Sequence, residues 1–176
     1  MLLKFKNLTI RNATVNDADL LAMWWNDGKV MAHAGFPLGT GETPEEIAEK
    51  ISKDTDETQR RLIIELDNIP IGEMSYGKAG DVTAEIGIKI CDFSKQDKGY
   101  GKVLLSMLIA SLFSDLGYKK IILDTNLNNK RAQHVYEELG FKQVRVNANC
   151  WRNQVGELQS SIDYELSEED FVNYAK

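Results

Sequence analysis

Apolar residues follow three rhythms along this chain. The segments RRLIIELD, IPIGEMSYG and VTAEIGIKI are short, rich in branched side chains and separated by turn residues at Asp67, Asn68 and Gly80. That pattern predicts three strands running as an antiparallel meander, the last over about Thr83 to Ile90. LTIR from Leu8, KKIILDT, FKQVRVNANCW and SSIDYEL read as further strands. A second rhythm begins at Gly99. Val103, Leu104, Leu105, Met107, Leu108, Ile109, Leu112, Phe113 and Leu116 make the stretch to Asp115 apolar nearly all round, as in a helix buried against a sheet. The third rhythm is amphipathic. Thr14 to Asp17 opens a helix carrying LLAMWW; TPEE offers Thr43 as N-cap, Pro44 at the first helical position and Glu46 to close a capping box, predicting a helix to about Asp56; Asn129 caps a helix through Leu139. Gly117 and Gly140 are placed to end helices. The glycine-rich stretch NDGKVMAHAGFPLGTGE reads mainly as loop. The order is strand, two helices, three strands, helix, strand, helix, two strands: an α/β fold with a mixed, mostly antiparallel central sheet flanked by helices.

Composition narrows the class. With 176 residues, 43% hydrophobic and 27% charged, the chain has the balance of one globular domain spanning residues 1–176. No window approaches a membrane span, and MLLKFKNLTI is too short and too charged for a secretory signal, so a cytoplasmic protein with no membrane partner is expected. Cys91 and Cys150 lack ligand spacing, and His33 and His134 have no Cys, Asp or Glu at metal-ligand spacing, so no metal is expected. A net charge of −6 argues against nucleic acid and leans toward a cationic substrate.

Local charge reverses at KQDKGYGK. Lys95, Lys98 and Lys102 surround Gly99 and Gly101 at the mouth of the buried helix. Unpaired N–H groups and the helix dipole make such a mouth an anion site, and glycine lets backbone approach a phosphate. The run is neither GxxxxGK[ST] nor a dinucleotide fingerprint, so another phosphate ligand is required. Asn129 and Tyr136, seven residues apart, share one helix face. There is no GxSxG elbow for a hydrolase serine.

Gln96, Gly99 and Gly101 in QDKGYG resemble the (Q/R)xxGx(G/A) signature of the GNAT superfamily of N-acetyltransferases. AEIGIKI resembles that family's fourth strand, and NNKRAQHVYEELGF resembles its NxxAxxxYxxxGF helix. The resemblance spans roughly residues 8–166 and is greatest to the branch that includes ribosomal-protein N-terminal acetyltransferases. It implies acetyl-CoA as cosubstrate, with Gln96, Asp97, Lys98, Gly99, Tyr100, Gly101 and Lys102 around its pyrophosphate. Backbone groups of Ile88 and Ile90 would hold the pantetheine arm and acetyl carbonyl, and Asn129 would contact that arm. Tyr136 would give a proton or a hydrogen bond to the departing sulfur. Glu85 matches a position where some members carry the base, directly or through water; Glu73 is the other candidate, as base or as a substrate-positioning charge. Trp25, His33, Phe36 and Tyr76 are candidate acceptor contacts, beside Trp24 and Met74.

The expected reaction is direct attack of a primary amine on the thioester, the acceptor being a protein or peptide N-terminus or a small amine such as a polyamine, aminoglycoside or amino acid. A module that senses acetyl-CoA without turning it over is the alternative, distinguished by whether Tyr136 and a base are usable. The closing SEEDFVNYAK reads as a short amphipathic tail that packs or joins a homodimer.

Overall fold

In the computed structural model, which describes Met1 to Lys176, eight strands form one sheet. They are β1 (Leu2–Phe5), β2 (Leu8–Asn12), β3 (Gln59–Leu66), β4 (Ile69–Gly80), β5 (Thr83–Ile90), β6 (Lys120–Asn126), β7 (Lys142–Arg152) and β8 (Leu158–Ser167), in the spatial order β1-β2-β3-β4-β5-β6-β8-β7. Every pairing is antiparallel except β5 with β6. Parallel neighbours need a crossover, here supplied by α4 (Tyr100–Ser114), the helix that is apolar all round. The other helices are α1 (Ala18–Trp25), α2 (Gly28–Met31), α3 (Pro44–Ser52) and α5 (Lys130–Glu138).

Strand alternation assigns the helices to faces. On β3, Leu62 and Ile64 join the large core with Leu104, Leu108 and Leu112 of α4 and Tyr136 of α5. Ile63 points the other way, into a smaller core with Leu21 of α1 and Ile47 and Ile51 of α3. The capping box at Thr43 is present: its hydroxyl accepts from the Glu46 N–H while the Glu46 carboxylate accepts from the Thr43 N–H.

Three expectations are corrected. MLLKF is a strand: it pairs Leu2 with Arg11 through a tight hairpin whose turn puts Lys6, not a glycine, at positive φ, so the usual turn signal is absent. The glycine-rich loop holds the short helix α2, capped by Asp27, whose carboxylate accepts from the Lys29 N–H. Helix α3 stops at Ser52 rather than near Asp56, because Asp54 turns back to bond Arg61 and Asp56 to bond Arg60 and Tyr76. The C-terminal tail packs on its own chain, Phe171 against Phe113 and Tyr174 over Lys102. No helix is long and apolar enough to cross a membrane.

Candidate active site

The site originates in a split. Strands β5 and β6 pair only at Thr83–Lys120, Ala84–Ile121 and Glu85–Ile122; beyond these, β6 stays with β8 as far as Asn126 while β5 stays with β4 as far as Ile90. The β5 backbone that faces β6 beyond Glu85 therefore lacks a strand partner. A cavity of about 780 Å³ occupies this opening, lined at one end by the mouth of α4 and at the other by α1, α2 and the floor of the sheet.

The α4 end is built from backbone. No protein acceptor takes the N–H groups from Asp97 through Lys102. Asp97 (φ 57°) and Gly99 (φ 78°) turn the chain through the left-handed region, which makes glycine at 99 the conformation's natural occupant. A Cβ at Gly101 would meet nothing nearer than Ile90 Cδ1 at 3.9 Å, so that face is open toward the cavity. Gln96 braces the turn: its Nε2 donates to Ile90 O (2.8 Å) and its Oε1 accepts from Arg131 (3.0 Å). Arg131, which the sequence reading missed, also donates to both Asp97 carboxylate oxygens at 3.2 Å and lines the cavity. Lys102 donates to Glu138 (3.0 Å) beneath the Tyr174 ring. Ile88, Ile90, Gln96, Asp97, Gly99, Tyr100, Gly101, Lys102 and Asn129 all line the cavity; Lys98 is exposed outside it. Asn129 caps α5, accepting from the Ala132 N–H at 3.3 Å.

At the split stand a phenol and a carboxyl. Tyr136 is buried against Phe141 and Tyr164, and its hydroxyl, which has no protein partner, borders the cavity. Burial first, and the Asp124 charge second, push it up to about 12. Asp124 lies on the cavity wall from β6, opposite Asp163 of β8. Arg145 and Asn147 donate to Asp163, whereas no side chain donates to the Asp124 carboxylate, whose one protein donor is its own backbone N–H. Asp124 is exposed toward the cavity, yet the protein packed around its carboxyl, and secondly the Asp163 charge, raise it from the usual carboxylate value. Asp124 was not singled out from the sequence, although an acid ending the apolar run KIIL on the side opposite Leu123 was a visible signal.

The far end is built from side chains. Glu73 is buried, accepting from Trp25 Nε1 at 2.9 and 3.0 Å and from Lys89 at 3.0 Å. Behind it Cys91 is buried too, its thiol pushed up to about 12 by burial and the Glu73 charge. Across the sheet floor Arg61, Ser75 and Gly87 lie in register, and Glu73 and Lys89 form the next pair. His33 and Lys29 line the cavity from the α2 side. The roof is the tip of the β7–β8 hairpin: Gln154 bonds Gly35 O, Leu38 N and Gly39 O, and the Trp151 ring seats on Gly35, where a Cβ would come within 2.5 Å.

Besides Lys98, three predicted site residues are not brought to the cavity. Glu85 is exposed, two residues short of Gly87 where β5 and β6 are still joined, about 7 Å along the strand from the opened floor. Tyr76 is a core residue whose hydroxyl donates to Asp56 at 2.7 Å. Phe36 is 40% exposed on the outside of its loop. Trp24 belongs to the smaller core, whereas Met74 does reach the cavity wall.

A family profile described as an acetyltransferase (GNAT) domain matches residues 7–142. Among solved structures, the Vibrio cholerae spermidine N-acetyltransferase in complex with CoA and spermine superposes with a TM-score of 0.84 at 23% identity, over 95% of this chain and 99% of that one. An acetyltransferase of the GNAT family from Bacillus anthracis gives 0.78 at 22% identity, over 96% and 99%. RimL, a ribosomal α-N-protein acetyltransferase in complex with coenzyme A, gives 0.83 at 15% identity, over 95% and 98%. The matched residues contain the split, the α4 turn and Tyr136, and they end where β7 begins; the chain belongs to the GNAT family of acetyltransferases, whose cosubstrate is acetyl-CoA.

Proposed function

We propose that the chain, acting as one domain, transfers the acetyl group of acetyl-CoA directly to a primary amine, with Asp124 as base and Tyr136 as hydrogen-bond donor to the leaving sulfur. The observation that carries this reading is the continuity of one cavity from the unpaired N–H groups of α4, past Tyr136 and Asp124, to the Glu73 floor. The α4 turn binds the pyrophosphate through backbone donors and dipole, with Lys95 and Arg131 beside it. The β5 backbone at Ile88 and the Ile90 N–H, which have no strand partner on that side, hold the pantetheine arm and polarise the thioester carbonyl, while Ile90 O is taken by Gln96.

The amine nitrogen bonds to the carbonyl carbon, the carbon–sulfur bond breaks, and the amine proton passes to Asp124 and on to solvent. An α-amine of pKa about 7.8 is neutral in about one molecule in seven at pH 7, whereas a side-chain amine near 10.4 is neutral in about one in two thousand, so the base matters most for the latter. Asp124 has the access a base needs, because it borders the cavity and no side chain donates to it. Tyr136 stays protonated at any working pH. With its hydroxyl at about 12 against a thiol near 8.5, complete proton transfer is uphill by roughly 5 kcal/mol, so Tyr136 acts by hydrogen bonding the developing thiolate. Glu73, already holding Trp25 and Lys89, positions the acceptor; Glu85 is set aside as base by its place.

Steady-state thiol release from acetyl-CoA with a panel of amines, and product mass, test the reading. Amine-dependent release with an acetylated product is expected; acetyl-CoA bound and no amine acetylated would leave a cofactor-binding module instead.

A further inference from the structure

Charge at the acceptor end is distributed against a polycation. Three cationic side chains line it, Lys29, Arg61 and Lys89, against two carboxylates, Glu73 and Asp124. Glu73 is committed to Lys89 and to the Trp25 indole. Arg61 is balanced from behind by Asp54, which does not reach the cavity, so its remaining N–H groups are available there. Lys29 has no carboxylate partner for its ammonium, the Asp27 carboxylate being bonded to its backbone N–H. Asp124, the remaining carboxylate, faces the reacting position beside Tyr136. A diamine or polyamine would bring a second ammonium to a floor where Glu73 and Lys89 neutralise each other, and would meet the unpaired Lys29 as a like charge.

We infer that the acceptor is an amine whose own skeleton carries an anionic group a few bonds from the nitrogen: its nitrogen faces Asp124, and its anion is received by Lys29 and Arg61. This rests on the acetyl-transfer reading above. The walls suit it, since Trp25 and the roofing Trp151 enclose a compact, partly apolar molecule. The same chemistry is offered by a free amino acid and by a peptide N-terminus followed at once by an acidic residue.

The test is kcat/KM of the full chain at saturating acetyl-CoA for length-matched probes: 4-aminobutanoate against 1,4-diaminobutane, and the peptide Ala-Asp-Gly-Gly against Ala-Lys-Gly-Gly. The acid-bearing member of a pair is expected to be preferred by about tenfold or more. Preference for the free acid identifies a small-molecule acceptor, and preference for the peptide an N-terminus. Lys29→Glu, a change at an exposed side chain, should raise KM for the preferred probe by about tenfold, lower it for the diamine, and leave acetyl-CoA affinity unchanged. Preference for the diamine or the lysine peptide, or a Lys29→Glu enzyme with unaltered KM values, overturns this inference while leaving acetyl transfer standing. Turnover of none of the four probes, with another amine of the wider panel acetylated, overturns this inference and leaves acetyl transfer standing.

Discussion

The two ends of the cavity are built by different means. At the α4 end the donors are backbone N–H groups, fixed by two left-handed residues and braced by Gln96 and Arg131. At the acceptor end the donors and acceptors are side chains delivered by distant segments: Trp25 meets Glu73 across 48 positions, and Gln154 meets Leu38 across 116. A backbone site tolerates substitution wherever geometry survives, so it preserves a cosubstrate; a side-chain site changes with each residue, so it can be retuned to a new acceptor. The family match, which ends as β7 begins and so omits the Trp151 roof, divides along the same line.

The comparison is broken most severely where the two ends meet. Tyr136→Phe should lower kcat by about 10²- to 10³-fold while acetyl-CoA affinity changes by less than about threefold, measured by steady-state kinetics and calorimetry. Asp124→Asn should lower kcat/KM by about 10²-fold. Its pH profile carries a further sign. A base must be unprotonated, and the carboxyl is raised by burial and Asp163, so the wild-type acid limb should fall at a pH above the usual carboxylate range and disappear in the variant.

Smaller effects should separate by end. Gly99→Ala forces a Cβ into a left-handed residue at a cost of roughly 1–2 kcal/mol. Acetyl-CoA affinity should drop about tenfold, with kcat at saturation nearly unchanged. At the other end Trp25→Phe removes the indole donor to Glu73, so acceptor KM should rise by about three- to tenfold with acetyl-CoA affinity unaltered. An acetyl-CoA effect from Trp25→Phe, or an acceptor effect alone from Gly99→Ala, would show the ends to be coupled.

What the sequence revealed follows from how contiguous each part is. The α4 turn was legible because its glycines, lysines and apolar helix occupy one short stretch; Asn129 and Tyr136 were legible because seven residues of helix put them on one face. The meander and the capping box at Thr43 were readable for the same reason. Arg131 could not be found that way, because its role lies in reaching back to Gln96 and Asp97 from another element. Trp151 depends on a hairpin returning over Gly35. Glu85 misled because strand spacing tells which face a residue is on, whereas the place where β5 leaves β6 is a property of the assembled sheet. Tyr76 misled because its partner Asp56 comes from the turn after α3.

On the reading proposed above, acetyl-CoA occupies the split sheet with its phosphates on the α4 turn. Calorimetric titration of the wild-type chain and of Gly101→Trp with acetyl-CoA, using ATP as the anionic control, tests it most directly. Saturable one-to-one binding of acetyl-CoA but not ATP to the wild type, lost in a variant that keeps its melting temperature, is the predicted result. Equal binding by the two proteins, or none by a folded wild type, would contradict it.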